Sequence, residues 1–225
     1  MIPMKLRKWL AAVSLLFLAA ALARPSNAQL FGSDPESLKR TDSLIKKAEG
    51  TIKQAVTARQ EIEKTLDSYN ALFKPDVADT RAAYKSVEKG IERSEKQRGE
   101  VRKHLEEMKV EAEAYFQSWN QSLQQISNQD LRKKSEQRMA ETRGHFDGVL
   151  AAVTEARDQY EPFMANLKDQ WTYLGHDLNP SGIASLKPDA DKLNADAKVL
   201  FKKIDAGMKK AGDYVTSLRA AKPVS

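Results

Sequence analysis

From Pro35 to Ala220 apolar residues return at every third or fourth position, and long polar stretches lie between them. That spacing predicts amphipathic helices throughout and gives no strand signal. In helix one Leu38, Ile45, Ile52, Leu66 and Phe73 fall at heptad spacing, with Ala48, Ala55, Ile62 and Tyr69 between them. Asp34 and Pro35 suit the cap and first position of that helix. Pro75 stops it, because proline has no amide hydrogen and biases Lys74 away from helix. Helix two carries the longest series, Val77, Tyr84, Ile91, Arg98, Leu105, Ala112, Trp119 and Ile126, each seven residues from the last. Such a run predicts coiled-coil-like packing.

Ser127 with Asp130 reads as a capping box opening helix three, which continues through Phe146, Val149, Tyr160, Phe163, Leu167 and Leu174 to Leu178. Pro162 inside it predicts a kink or an interrupted ladder. Helix four runs from about Gly182 to Ala220, with Leu186, Leu193, Leu200, Ile204, Tyr214 and Leu218 on its apolar stripe. The stretch "DLNPSG" between helices three and four has a His-Asp pair at its edge, but Asn-Pro and Ser-Gly are turn chemistry. His176 in a last helical turn faces the negative helix end favourably. The segment is a joint. The expected architecture is an all-α, elongated, antiparallel four-helix bundle over residues 35–220.

Helices two and three are longer than helices one and four by about a dozen residues. Counting from the turns at Pro75 and Pro180 places the start of helix one near Tyr115 and the end of helix four near Thr142. Residues 115–141 are then expected to project as a two-helix finger ~20 Å long. It contains Tyr115, Phe116 and Trp119, ringed by Arg132, Lys133, Lys134 and Arg138. Aromatic and arginine side chains commonly anchor binding surfaces, so Tyr115, Phe116, Trp119, Arg132, Lys133 and Arg138 form a candidate partner-binding set. The other account is that the aromatics seal the finger's own seam at their heptad places.

Charge is concentrated at the N-terminus. The 225-residue chain has a net charge of +6, yet Lys5, Arg7, Lys8 and Arg24 lie in its first 28 residues, which hold no acid. Without those four, 33 bases face 31 acids, a net +2, so the body offers no broad basic face to nucleic acid. "MIPMKLRK" followed by the apolar run Leu10–Ala23 and "SNA" reads as an export signal of residues 1–28, with cleavage between Ala28 and Gln29. Ala21 and Ala23 offer an earlier site. Fourteen apolar residues are few for a membrane span, which sets a retained anchor helix second. Residues 29–34 form a linker and 221–225 a tail. The chain has no cysteine, which excludes disulfides, thiolate metal sites and a lipidated cysteine.

Candidate chemistry is sparse. Helical bundles hold metals through inward Glu-x-x-His motifs at i, i+3. Here Glu100–His104 and Glu141–His145 are at i, i+4 and lack companion carboxylates on the apolar faces, as surface pairs do. Arg59 and Arg98 interrupt core heptad positions. They mark either a polar layer that binds something inside the bundle or stems packed inward with their heads in water, the simpler account. Gly144 and Gly148 have small-xxx-small spacing in a segment too polar for a membrane helix. No phosphate loop or nucleophile motif is present, and no cofactor is implied.

"LRKKSEQRMAETRGHFDGVLAAV" and "LGHDLNPSGIASL", with Trp119, resemble a bacterial family catalogued as domain of unknown function 2959. The resemblance runs from helix one to helix four. It implies a helical, coiled-coil-like fold and supplies no catalytic or binding residue. Some members resemble exported lipoproteins, which the missing cysteine rules out for this chain.

The combined expectation is a non-enzymatic protein of the periplasm or the secreted fraction, acting as a scaffold, spacer or adaptor on a protein partner in the envelope. Self-association is left open. An enzyme or metal binder whose residues converge only in three dimensions is the alternative. Cleavage after Ala28 predicts that intact-mass measurement of protein from the native host finds a chain starting at Gln29. A species starting at Met1 and held in the inner membrane would contradict it.

Overall fold

The computed structural model describes residues 35–75, 77 and 79–222. The expected signal, its Ala28–Gln29 cleavage point and the linker through Asp34 lie outside them, as does the tail beyond Lys222. Five helices are formed, α1 Pro35–Ala71, α2 Thr80–Gln124, α3 Gln129–His176, α4 Pro180–Ser185 and α5 Lys187–Ala220. The all-α reading holds. Among the described residues no helix is long and apolar enough to cross a membrane.

The ends of the helices follow from local hydrogen bonding. α1 stops at Ala71, where Leu72, Phe73 and Lys74 donate to the carbonyls of Tyr69, Asn70 and Ala71 three residues back, a tightened last turn. Asp79 caps α2 by accepting from the Ala82 amide at 2.9 Å. The cap of α3 is Asn128, not the expected Ser127. Its side-chain oxygen accepts from the amides of both Asp130 and Leu131 at 3.0 and 3.2 Å, which a serine outside the helix cannot match. α3 runs unbroken past Pro162, which sits on an exposed face with Asp158, so water can serve the carbonyl that proline leaves unbonded.

Beyond α3, Asn179 accepts from the Gly182 amide at 2.9 Å, and Pro180 takes the first position of α4. The helix expected from Gly182 to Ala220 is in fact two. Pro188 cannot donate backward, and the chain breaks at Leu186, whose buried side chain holds the corner against the core.

The four long helices form two hairpins, α1 with α2 and α3 with α5. Within each, small residues permit close approach. Gly90 of α2 lies on Thr65 of α1, whose hydroxyl meets Ser94 at 3.1 Å in the interior. Gly207 of α5 lies on Ala152 of α3. Between hairpins the packing is looser, and α2 touches α3 least of these pairs. Asn70 and Asn194 exchange amide hydrogen bonds at 2.8 Å, and Arg59 pairs with Asp205 at 2.8 Å, joining α1 to α5.

Two separate cores result. The turn-end core gathers Leu66, Tyr69, Phe163, Leu167, Leu174 and Leu193 among others. The tip-end core gathers Leu44, Met108, Tyr115, Trp119, Phe146 and Tyr214.

Burial raises the phenols of Tyr69, Tyr115, Tyr160 and Tyr214, Tyr115 to about 12. An unfolded tyrosine titrates near 10. The native state therefore keeps protons that the unfolded state releases, and this contribution is complete below pH ~10 and is lost as pH rises through the native values. Denaturant midpoints are expected to fall from pH ~10 upward, less steeply in Tyr115→Phe. An equal slope in the variant would contradict the assignment.

Two glycines are required by space. A Cβ on Gly182 would lie 2.1 Å from the Asp177 carbonyl, and one on Gly90 would lie 2.7 Å from the Thr65 hydroxyl. Gly182→Ala and Gly90→Ala are expected to cost about 1–3 kcal/mol in urea unfolding. Gly99→Ala, with open space around it, is expected to gain up to about 1 kcal/mol. Unchanged stability in Gly182→Ala would refute the tight corner.

Candidate functional site

The expected finger is shorter than counting implied. Tyr115 is level with Thr41, whose side chain acts on its phenol, and Thr41 lies six residues inside α1. Helix one thus reaches about 9 Å further along α2 than the turn-based count gave. At the other side Lys222, just beyond α5, pairs with Asp42. The pairing register differs from the count because the helices are offset at the turns, not flush there.

This extra cover decides the aromatics. The expectation that some of them face solvent or a partner is corrected: Tyr115, Phe116 and Trp119 are only 2–3% exposed. Their rings pack edge to face at 5.4 and 5.7 Å, and the Trp119 indole donates to the buried Ser135 hydroxyl at 3.0 Å, binding α2 to α3. They seal the seam. Arg132 turns back to donate twice to the Ile126 carbonyl, at 3.1 and 2.7 Å, and so closes the α2–α3 turn. Lys133 is exposed and Arg138 is half-buried. The structure therefore separates the candidate set into a buried aromatic seam, one turn-closing arginine and a basic tip.

A different feature lies halfway along the bundle. Between the two cores the hairpins part around a slot of about 1000 Å³. Its walls are Ile52, Ala55 and Ala58 from α1, Val101 and Leu105 from α2, Val149, Ala152, Val153 and Ala156 from α3, and Leu200, Ile204, Gly207 and Met208 from α5. The size is at the upper end for small-molecule sites, and the lining is of the apolar kind such sites favour. Ala55, Ala58, Ala152, Ala156 and Gly207 are too small to fill the space between the hairpins on this side, while Arg59 and Asp205 join α1 to α5 at the same height.

The slot opens between α2 and α3. Tyr84 stacks on Trp171 at 5.4 Å and holds these helices together at the turn end. Ion pairs then cross at Lys168–Glu95 (2.6 Å) and Arg98–Glu161, and again at Arg143–Glu113 (3.4 Å). Among the described residues no hydrogen bond or ion pair crosses from α2 to α3 between Arg98 and Glu113, a stretch of ~22 Å.

Arg98 and Arg59 behave as inward stems with outward heads. Arg98 lies over the Tyr160 ring and pairs with Glu161 and Glu95, while Arg59 lies over Phe201 and pairs with Asp205 and Glu63.

The slot's rim carries Arg98, Arg102, Lys109 and Arg157 alongside Glu95, Glu106 and Glu161. Each glutamate has a cationic partner, Glu106 through Lys109 at 2.9 Å. Arg157 pairs with its sequence neighbour Asp158 at 2.8 Å. Arg102 has no ion pair among the described residues. Because Arg98 meets Glu161 in an antiparallel helix pair, one turn further along places Arg102 and Arg157 on opposite sides of the opening. His104 lies against Gly50 and His145 is exposed; among the described residues no three His, Asp or Glu side chains converge as a metal site would need.

Sequence reasoning missed the slot, although its small residues and the Arg98 interruption were visible signals. No curated protein and no solved structure matches the chain. A family model does, over residues 36–218, almost the whole described bundle. The chain belongs to the family described as protein of unknown function DUF2959.

Proposed function

We propose that this is an exported, non-enzymatic protein that works by binding, and that the slot between its hairpins takes an elongated apolar small molecule. The basic, apolar and "SNA" stretches of residues 1–28 support export. The observation that carries the binding reading is the slot's position between two independently packed cores. The aromatic side chains of the two end cores hold the hairpins apart on either side of it, so its width does not need a ligand. Apolar wall exposed to water costs about 25 cal/mol per Å², and an apolar occupant recovers it. The adaptor reading keeps only the polar tip, because Tyr115, Phe116 and Trp119 are spent on the seam.

The test uses a neutral apolar fluorophore, diphenylhexatriene, with Ala156→Trp as the plug. The protein is expected to bind one probe with enhanced emission, and folded Ala156→Trp is expected to lose it. No saturable binding, or equal binding in the plugged variant, would refute the reading.

A further inference from the structure

We infer that the slot's occupant is a long-chain fatty acid, its alkyl tail between the two cores and its carboxylate at the mouth between Arg102 and Arg157. This rests on the slot being a binding site and adds the identity of the head group.

Two guanidinium groups on opposite lips of one opening repel each other across it, and an anion placed between them removes that repulsion. Arg102 is exposed and has no ion pair among the described residues. Among the described residues Arg157 pairs only with adjacent Asp158, an exposed pair of little strength. Guanidinium binds a carboxylate through two parallel hydrogen bonds, a planar match that suits a single acid head. The neighbouring rim positions are closed to this role, since Arg98 is held by Glu161 and Glu95, and Lys109 by Glu106. The basic pair thus stands at one level only, directly above apolar walls.

Shape restricts the tail. The lining runs from Thr51 to Ile62 on α1, ~16 Å of helix. Tyr160 lines the slot at the turn end, and the tip-end core with Phe116 and Phe146 packs beyond its other end. A slot of that length takes one long acyl chain bent within it. Each methylene taken from water adds to binding, so the tail supplies affinity and the arginines supply orientation and head-group choice.

The experiment titrates delipidated protein with palmitate, and separately with hexadecanol, which has the same tail and no charge. Palmitate is expected to bind one to one and at least ~10-fold more tightly than hexadecanol. Arg102→Glu and Arg157→Glu are each expected to weaken palmitate ~10-fold or more while leaving hexadecanol unchanged. Ala156→Trp is expected to abolish both; if that variant does not fold, Ala55→Phe on the opposite wall takes its place. Equal affinity for the two ligands, with no effect of either arginine, overturns the carboxylate assignment and leaves the apolar site standing. Palmitate binding that survives the plug overturns both. Saturable binding to phosphatidylglycerol vesicles with none to monomeric palmitate would also overturn the inference, since it would place a membrane surface on the arginines instead. So would a slot that stays blocked to palmitate because a second copy of the chain, or its own Leu10–Ala23 run, occupies it.

Discussion

Side-chain size along the bundle axis is the constraint on which the rest of this molecule depends. Two helices come close only where a small residue stands at the contact, and they stay apart where a large one does. Gly90 and Gly207 let each hairpin close on itself. Tyr69, Phe163 and Trp171 at one end, and Phe116, Trp119, Phe146 and Tyr214 at the other, fill the space between hairpins and fix its width. Midway, Ala55, Ala152, Ala156 and Gly207 cannot span that width, and the slot is what remains. Close packing at the ends and a gap at the centre are therefore one arrangement, not two.

Polar groups follow the same geometry. Some enclosed side chains find partners, as Trp119 does in Ser135 and Tyr69 in Gln170, while the buried hydroxyls of Tyr160 and Tyr214 have none among the described residues. Of the charged groups that bridge hairpins, Arg98–Glu161 and Lys168–Glu95 lie at the rim, where water keeps each ion pair weak. Their role is to position the lips of the slot more than to hold the fold, which rests on the two cores.

Much of the fold was legible in the sequence because helical periodicity over forty or more residues is hard to mimic. The turns at Pro75 and Pro180 followed from the backbone chemistry of proline. The misplaced features each depend on something periodicity does not carry. Ser127 lost the cap to Asn128 because side-chain reach, not residue class, decides which oxygen meets two amides. Tyr115 and Trp119 were assigned heptad places correctly, but whether they are covered depends on how far α1 slides along α2, which residue counting from a turn cannot set. The slot was invisible for a related reason. A heptad pattern scores alanine as apolar without asking its volume, and only the three-dimensional register shows α1, α3 and α5 turning Ala55, Ala156 and Gly207 toward one slot.

The account stands on the gap between the hairpins, and crystallography under xenon pressure tests it most directly. Xenon enters apolar cavities that water leaves poorly filled. The account predicts ordered xenon bounded by Ala55, Ala156 and Gly207, with Arg102 and Arg157 facing each other across the opening. A crystal structure in which Leu105, Ile204 and Met208 have collapsed to fill that level, with α2 and α3 in contact from Arg98 to Glu113 and no xenon between them, would contradict it.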